Sequence, residues 1–344
     1  MNFDLASQFS PNNIYLNTAT VGLPCQATVE AMRQDIALWQ SGELNVPEYD
    51  ATIDRCRALF ANLIETPAEW IAIGNQVAPF ITLLAQSLKP GSRVLSVEND
   101  FTSVLFPFMV REHEIEIELV ALADIPAKLE QDSSFDWVAL SAVQSANGEV
   151  ADLDAISNAA KLTNTQVVLD ATHAVSWLDI KPTHWDMLIC GAYKWLLSPR
   201  GTAFAAIKPE LMETIPPIMA NWYAGDDIWQ SIYSAPLRLA ESARRYDTSP
   251  AWLPWVGTLP ALELIDKLGV AAIGAHNISL ANRFRRGMGL DDSNSAIVSL
   301  NQAGIDEKLQ AAGVAASVRA GAARLSFHLY NTEEEVDNVL EIVA

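Results

Sequence analysis

Seven short runs between residues 70 and 207 are almost wholly apolar: Trp70–Ile73, Arg93–Val97, Ile117–Val120, Trp137–Ala142, Gln166–Asp170, Met187–Cys190 and Ala203–Ile207. A strand with one wet face alternates polar and apolar residues; a strand without that alternation must be covered on both faces. Helical patterns lie between several of these runs. Gln76–Leu88 has helical apolar spacing and stops at Lys89-Pro90-Gly91, a terminator followed by a turn. Asp152–Leu162 opens on an aspartate suited to an N-cap. Strands alternating with helices predict an α/β domain built on a largely parallel sheet.

The pattern changes near Pro250. Pro250, Pro254 and Pro260 bracket the start of a helix running into Ala261–Leu268, and a small α+β unit is expected beyond it. That unit ends in a helix over Glu333–Val343, with Thr332 as N-cap and three glutamates in the first turn. The expected organisation is an N-terminal segment (residues 1–13), a large domain (14–250) and a small C-terminal domain (251–344).

Charge restricts the partners. With 22 Lys+Arg against 42 Asp+Glu the chain carries −20, which disfavours nucleic acid and anionic membrane surfaces. A small-molecule pocket can still be locally basic. Three cysteines (Cys25, Cys56, Cys190) are too few for a disulfide scaffold and lack zinc spacing, so a reducing, cytoplasmic compartment is expected. The segment MNFDLASQFS has neither a basic nor an apolar signal region. No apolar run reaches the roughly 20 residues that span a bilayer.

In open α/β sheets ligands bind beyond the C-terminal strand ends, so residues at those positions are candidates. After the first run comes Gly74-Asn75-Gln76-Val77, opening a helix whose free N–H groups suit a phosphate. Neither G-x-G-x-x-G nor a Walker A sequence is present, which weakens nucleotide readings. After the second run comes Asn99-Asp100-Phe101-Thr102, with an aromatic able to stack on a flat ring. Ser141, Gln144 and Asn147 follow the fourth. The fifth ends in Asp170-Ala171-Thr172-His173; a carboxylate there needs a partner, which a protonated ring nitrogen or a helix N-terminus would supply. The sixth runs into Gly191-Ala192-Tyr193-Lys194-Trp195 and on to Pro199-Arg200-Gly201. A lysine among apolar residues has a lowered pKa and suits a Schiff-base nucleophile.

Asp-x-x-His, Tyr-Lys and Pro-Arg-Gly in this order resemble class V aminotransferase-type enzymes, fold type I proteins dependent on pyridoxal 5′-phosphate (PLP), with kynureninase-like features. Tyr15-Leu16-Asn17-Thr18-Ala19 is similar to the family's opening segment, and Arg324-Leu325-Ser326 with Tyr330-Asn331-Thr332 to its C-terminal signature. The resemblance implies a large domain with a mainly parallel seven-stranded sheet. Lys194 would carry the Schiff base and move the substrate α-proton. Asp170 would keep the pyridinium nitrogen protonated, making the ring an electron sink. His173 would lie near the ring oxygen or the carboxylate side, and Phe101 would stack on the ring without donating a proton. Gln76, Val77 and Tyr193 would hold the phosphate, although the family's usual Ala-Thr is absent. Ser141 and Gln144 are further candidate cofactor contacts. Arg324, with Asn17, would grip the substrate carboxylate. Trp222 and Ser249 would reach a neighbouring subunit's phosphate site, implying a homodimer with shared active sites.

The reaction expected first is an aminotransferase acting on a small amino acid. The alternatives are a β-eliminating C–S lyase, a kynureninase-like hydrolase, or an inactive PLP-binding relative. Cysteine desulfurases carry a nucleophilic cysteine just before the C-terminal arginine motif; here that stretch, residues 317–323, holds none. No metal site is expected. His113, His184, His276 and His328 fit no ligand spacing, and Arg283, Arg285 and Arg286 are expected on a solvated helix face. Most of the ten tryptophans are expected in the core or a dimer interface.

Overall fold

The computed structural model describes residues 5–343. In chain order the elements are α1 (Gln26–Ser41), α2 (Glu48–Leu63), β1 (Ile71–Gly74), α3 (Val77–Ser87), β2 (Arg93–Val97), α4 (Thr102–Met109), β3 (Glu116–Val120), α5 (Ile125–Gln131), β4 (Trp137–Ser141), α6 (Leu153–Thr163), β5 (Gln166–Asp170), β6 (Met187–Gly191) and β7 (Ala203–Ile207). There follow α7 (Pro209–Met212), α8 (Trp252–Leu268), α9 (Val270–Gly287), β8 (Ile297–Leu300), α10 (Ile305–Ala311), β9 (Ser317–Arg319), β10 (Ala322–Ser326) and α11 (Glu333–Val343).

Strands β1 to β7 form one seven-stranded sheet in the order β1-β7-β6-β5-β4-β2-β3. Only β7 runs against its neighbours, so the sheet is mainly parallel, as the alternation of strands and helices leads one to expect. Each strand divides its side chains between two cores. Ile71, Ile73, Leu95, Val138, Leu140, Leu169, Leu188 and Phe204 enter the larger core. Ala72, Val94, Ala139, Val168, Ile189 and Ala205 enter the core shared with α3 and α4. The period of two is intact, but both faces are dry, which is why the sequence shows no polar alternation. Each fully buried Leu, Ile, Val or Phe contributes roughly 1.5–3 kcal/mol.

A small antiparallel sheet, β8-β10-β9, carries the C-terminal unit. Its core includes Leu16, Leu280, Phe284, Leu325 and Val339. Two packing relationships cross the expected boundaries. Tyr15 and Asn17 bridge in parallel to Ala315 and Ser326, and Leu16 is buried with the small sheet, so residues 14–17 pack with the C-terminal unit. Helix α8 begins just beyond the expected boundary at residue 250, yet Trp255, Ala261, Leu262 and Ile265 lie in the larger core of the main sheet. Its apolar face has α1 and α2 as neighbours. Asp152 caps α6 by accepting from the Ala155 N–H at 2.9 Å. Thr332 and Glu335 form a reciprocal capping box at α11.

The arginine cluster also departs from expectation. Arg283 and Arg286 pair at the surface with Asp337 and Asp292, but Arg285 is buried and donates to the carbonyls of Ser295 and Ile297. A single helix presents several faces, and the run's composition cannot say which face meets β8. Among the described residues no helix is long and apolar enough to cross a membrane.

Candidate active site

The C-terminal ends of β1, β2, β5 and β6 converge on one pocket of about 120 Å³. Its lining includes Gln76, Val77, Phe101, Asp170, His173, Tyr193 and Lys194, together with Asn75, Ser103, Thr172 and Arg200. Thus seven of the residues singled out from the sequence meet in one place. Trp222, Ser249, Ser141, Gln144, Arg324 and Asn17 do not line it.

Two buried pairs hold the ends of β1 and β2 in place. Asp247 accepts from the Ile73 N–H and from Arg57 Nη2, which sets where β1 stops and where Gly74-Asn75-Gln76 turns into α3. Gln76 is the extended N-cap of α3 and its side chain makes no capping bond; the first turn contains no acid. Its free N–H groups therefore favour an anion. Asp100 accepts from the Phe101 N–H, from both the Ser141 N–H and hydroxyl, and from Gln144 Nε2. Ser141 and Gln144, expected to touch a cofactor, hydrogen-bond to Asp100, which anchors Phe101 at the start of α4. Their polarity was legible, but the direction of their side chains was not.

Asp170 ends β5 and is buried. Burial raises its pKa, while Thr172 and the charge of Lys194 oppose that. The Thr172 N–H donates to Asp170 Oδ1 at 2.9 Å. No ion pair to Asp170 is found among the described residues. A carboxylate placed so suits a cationic N–H arriving from the pocket.

Lys194 lies in the connection between β6 and β7. Gly22 is packed against it: an added Cβ there would stand 2.2 Å from the Lys194 carbonyl oxygen, and the Gly22 N–H donates to the Tyr193 carbonyl. Lys194 Nζ stands 5.3 Å from the centre of the Phe101 ring and 2.9 Å from His173 Nε2. Burial lowers the Lys194 pKa to about 8; Asp170 opposes the shift, and Arg324 and Arg319 add to it. Burial first, and then Lys194, push the His173 imidazole well below its usual range, which favours the uncharged ring. The Arg200 guanidinium lies over the Tyr193 ring at 5.3 Å. In a chain of −20 the site is locally basic.

Arg324 is 1% exposed and has no carboxylate partner among the described residues. Its Nη1 donates to the Ser145 carbonyl and hydroxyl, and its Nη2 to the Thr20 hydroxyl at 3.1 Å. Nε is buried with no partner among the described residues, as is Asn17 Oδ1. Burial and the nearby Arg319 lower the Arg324 pKa to about 10. A buried guanidinium without an anion is costly, and a carboxylate ligand would offset that cost. Thr20 and Ser145 were missed from the sequence: they lie far from Arg324 along the chain and no local pattern links them.

Trp222 joins an aromatic cluster with Tyr223 and Trp229, and Ser249 is exposed. All three cysteines are buried and unpaired, and none lines the pocket. These residues fit PLP: a buried lysine amine for covalent attachment, an unpaired carboxylate for a ring N–H, an aromatic face, and an acid-free helix N-terminus with Arg200 and Tyr193 for a phosphate.

Fold and pocket together define a fold type I enzyme of the pyridoxal-phosphate kind. The family model "Aminotransferase class-V" matches residues 15–339, and the chain belongs to that family; it is a PLP-dependent enzyme. An uncharacterised aminotransferase of Bacillus subtilis (strain 168) is 25% identical over 306 residues, covering 83% of this chain and 81% of the relative. Isopenicillin N epimerase of Streptomyces clavuligerus is 23% identical, covering 96% of this chain and 94% of the relative. Among solved structures, a cystine C–S lyase in complex with its product cysteine persulfide superposes with a TM-score of 0.85 at 18% identity, covering 96% and 97% of the two chains.

One pH dependence follows directly. A neutral amine attacks an aldehyde and an ammonium does not. Capture of added PLP by the cofactor-free protein should therefore accelerate through about pH 8 and level off, where an ordinary lysine would keep gaining up to 10.5. The growth of the visible absorbance band with pH measures it; a rate still climbing steeply above pH 9 would show that Lys194 is not held in this way.

Proposed function

We propose that this chain is an aminotransferase acting on a small amino acid, working as a homodimer in the cytoplasm. When bound, PLP supplies the electron sink that stabilises negative charge on the substrate α-carbon. The chain's own residues do the rest. Arg324 and Asn17 bind the substrate carboxylate and so fix which bond at the α-carbon is presented. Asp170 holds the proton on the ring nitrogen. Phe101 offers an apolar face on the pocket wall for a flat ring to stack against. Lys194 takes the α-proton and would deliver it across the substrate nitrogen, two atoms away.

The observation that carries this reading is the Lys194–Phe101 pairing. Transamination needs one base that moves one proton from the α-carbon to the carbon on the far side of the substrate nitrogen. Epimerisation needs a second acid on the opposite face, and Phe101 has no proton to give. Persulfide formation on the enzyme needs a thiol, and none lines the pocket. The likeness to a cystine C–S lyase keeps direct elimination as the second reading. A single-turnover experiment separates them. Mixing the holoenzyme with an amino acid, without a keto acid acceptor, should give one equivalent of keto acid and no free ammonia. Ammonia, or sulfide from cystine, would replace transamination by elimination.

The dimer is supported by Ile218, Trp229, Ile232, Tyr233 and Leu237, large apolar side chains all exposed on one segment of this chain. Trp222 lies in the same segment, and with Ser249 it would serve the partner's phosphate site. The three unpaired thiols support a reducing compartment.

Arg324→Ala should lower kcat/KM by about 10–100-fold, the worth of a charged bidentate hydrogen bond. Both KM and kcat should suffer, because orientation is lost with binding. Steady-state kinetics on the best amino acid check this; values within twofold of wild type would remove Arg324 from the site.

A further inference from the structure

The side chain of Trp195 follows the reactive lysine directly and does not line the pocket. It is fully buried, and its indole Nε1–H donates to His173 Nδ1 at 3.2 Å. The other ring nitrogen of His173, Nε2, stands 2.9 Å from Lys194 Nζ. An indole nitrogen is only ever a donor, so Nδ1 must be the accepting nitrogen. A neutral imidazole has one N–H and one lone pair. With Nδ1 committed as acceptor, the ring proton sits on Nε2.

We propose that Trp195 is a positioning residue that locks His173 as its Nε2–H tautomer, so that the imidazole donates a hydrogen bond toward Lys194 and favours the free amine. The proposal rests on Lys194 being the reactive lysine, and it adds a determinant of that lysine's state. An ammonium at Lys194 would need Nε2 as its acceptor. The ring proton would then move to Nδ1 and face the indole N–H, leaving two donors opposed in a dry interior. A neutral amine accepts from Nε2–H, and every donor in the row is satisfied. His173 thus presents a donor to the pocket whichever group Lys194 engages.

The surrounding packing gives Trp195 the rigidity that such a lock requires. Its carbonyl accepts from the Ser176 hydroxyl at 2.9 Å and from His328 Nε2 at 3.0 Å. Its ring packs against those of Trp177 and His328, with centroids at 5.4 and 5.2 Å. Trp177 in turn donates its indole N–H to the His173 carbonyl at 2.8 Å. One indole therefore fixes the backbone of His173 and the next fixes its ring. Helix α9 closes on this arrangement at Gly274, where a Cβ would stand 2.3 Å from the Trp177 carbonyl oxygen. The charged and titratable groups acting on the His173–Lys194 pair are Asp170 and Cys190, which favour the ammonium, and Arg324 and Arg319, which oppose it. None of them touches Nδ1.

The test uses full-length protein labelled with ¹⁵N-histidine, with and without bound PLP. His173→Gln identifies the His173 signals by their loss. Recorded at pH 9, where the Lys194 amine is free, long-range proton–nitrogen spectra should show Nε2 protonated and Nδ1 bare in both forms. In Trp195→Phe the lock is gone: a mixture of tautomers should appear, and at neutral pH capture of PLP should slow by about tenfold, the equivalent of one lost buried hydrogen bond. Should that variant fail to fold, β-(3-benzothienyl)alanine at position 195 keeps the ring shape and replaces the N–H by sulfur. A wild-type His173 protonated on Nδ1 would overturn the proposal. So would a Trp195→Phe or benzothienyl protein that keeps the Nε2–H tautomer and the wild-type capture rate.

Discussion

Lys194→Ala should abolish borohydride-stable attachment of PLP to the protein and lower turnover by about 10³-fold or more, since both the nucleophile and the proton carrier go with one side chain. The side chain is buried beside Phe101, Asp170 and His173, and no second lysine lines the pocket that could take over. Peptide mapping after reduction should place the pyridoxyl group on the peptide containing Lys194 in wild type and nowhere in the variant. Circular dichroism should be unchanged, because the backbone of the loop is held by Gly22, Ala192 and Ser198 through main-chain bonds. A pyridoxyl adduct surviving in Lys194→Ala would mean that another lysine is the reactive one.

Asp170→Asn should have the second largest effect. Asp170 sits at the end of a central strand, and its environment penalises an unpaired negative charge. The carboxylate and a protonated ring nitrogen stabilise one another; removing one partner of such a buried pair costs about 3–5 kcal/mol. A loss of that size corresponds to roughly 10²–10⁴-fold in rate. Asparagine has nearly the same shape and can keep the Thr172 N–H as a donor, so the fold should persist while turnover and the affinity for PLP fall. Single-turnover rates of α-proton exchange in deuterated water measure the loss at the step concerned. Turnover within threefold of wild type would show that Asp170 does not hold the ring proton.

What could be read in advance, and what could not, divides along physical lines. Strands with both faces buried announce themselves as apolar runs, so β2, β5 and β7 stand where the sequence puts them. The caps Asp152 and Thr332 are local signals with local partners. The strand-end rule collects Gln76, Phe101, Asp170, His173 and Lys194 because chain connectivity alone decides where a strand ends. Side-chain direction is another matter. Ser141 and Gln144 stand at a strand end as expected but point to Asp100. Arg285 belongs to a charged run and yet points inward. The partners of Arg324 come from loops remote in sequence, and the role of Trp195 depends on which nitrogen of His173 it meets. Such pairings arise only when separate elements dock, and no periodicity encodes them.

The measurement that bears most directly on the whole account is the visible absorption spectrum of the holoenzyme titrated with a panel of small amino acids. The account predicts a PLP band that is lost on addition of particular amino acids, with matching amounts of keto acid, and that is restored by adding a keto acid. A protein that binds PLP at Lys194 but whose spectrum no amino acid changes would contradict it. A protein that takes up no PLP at all would contradict the assignment of the pocket itself.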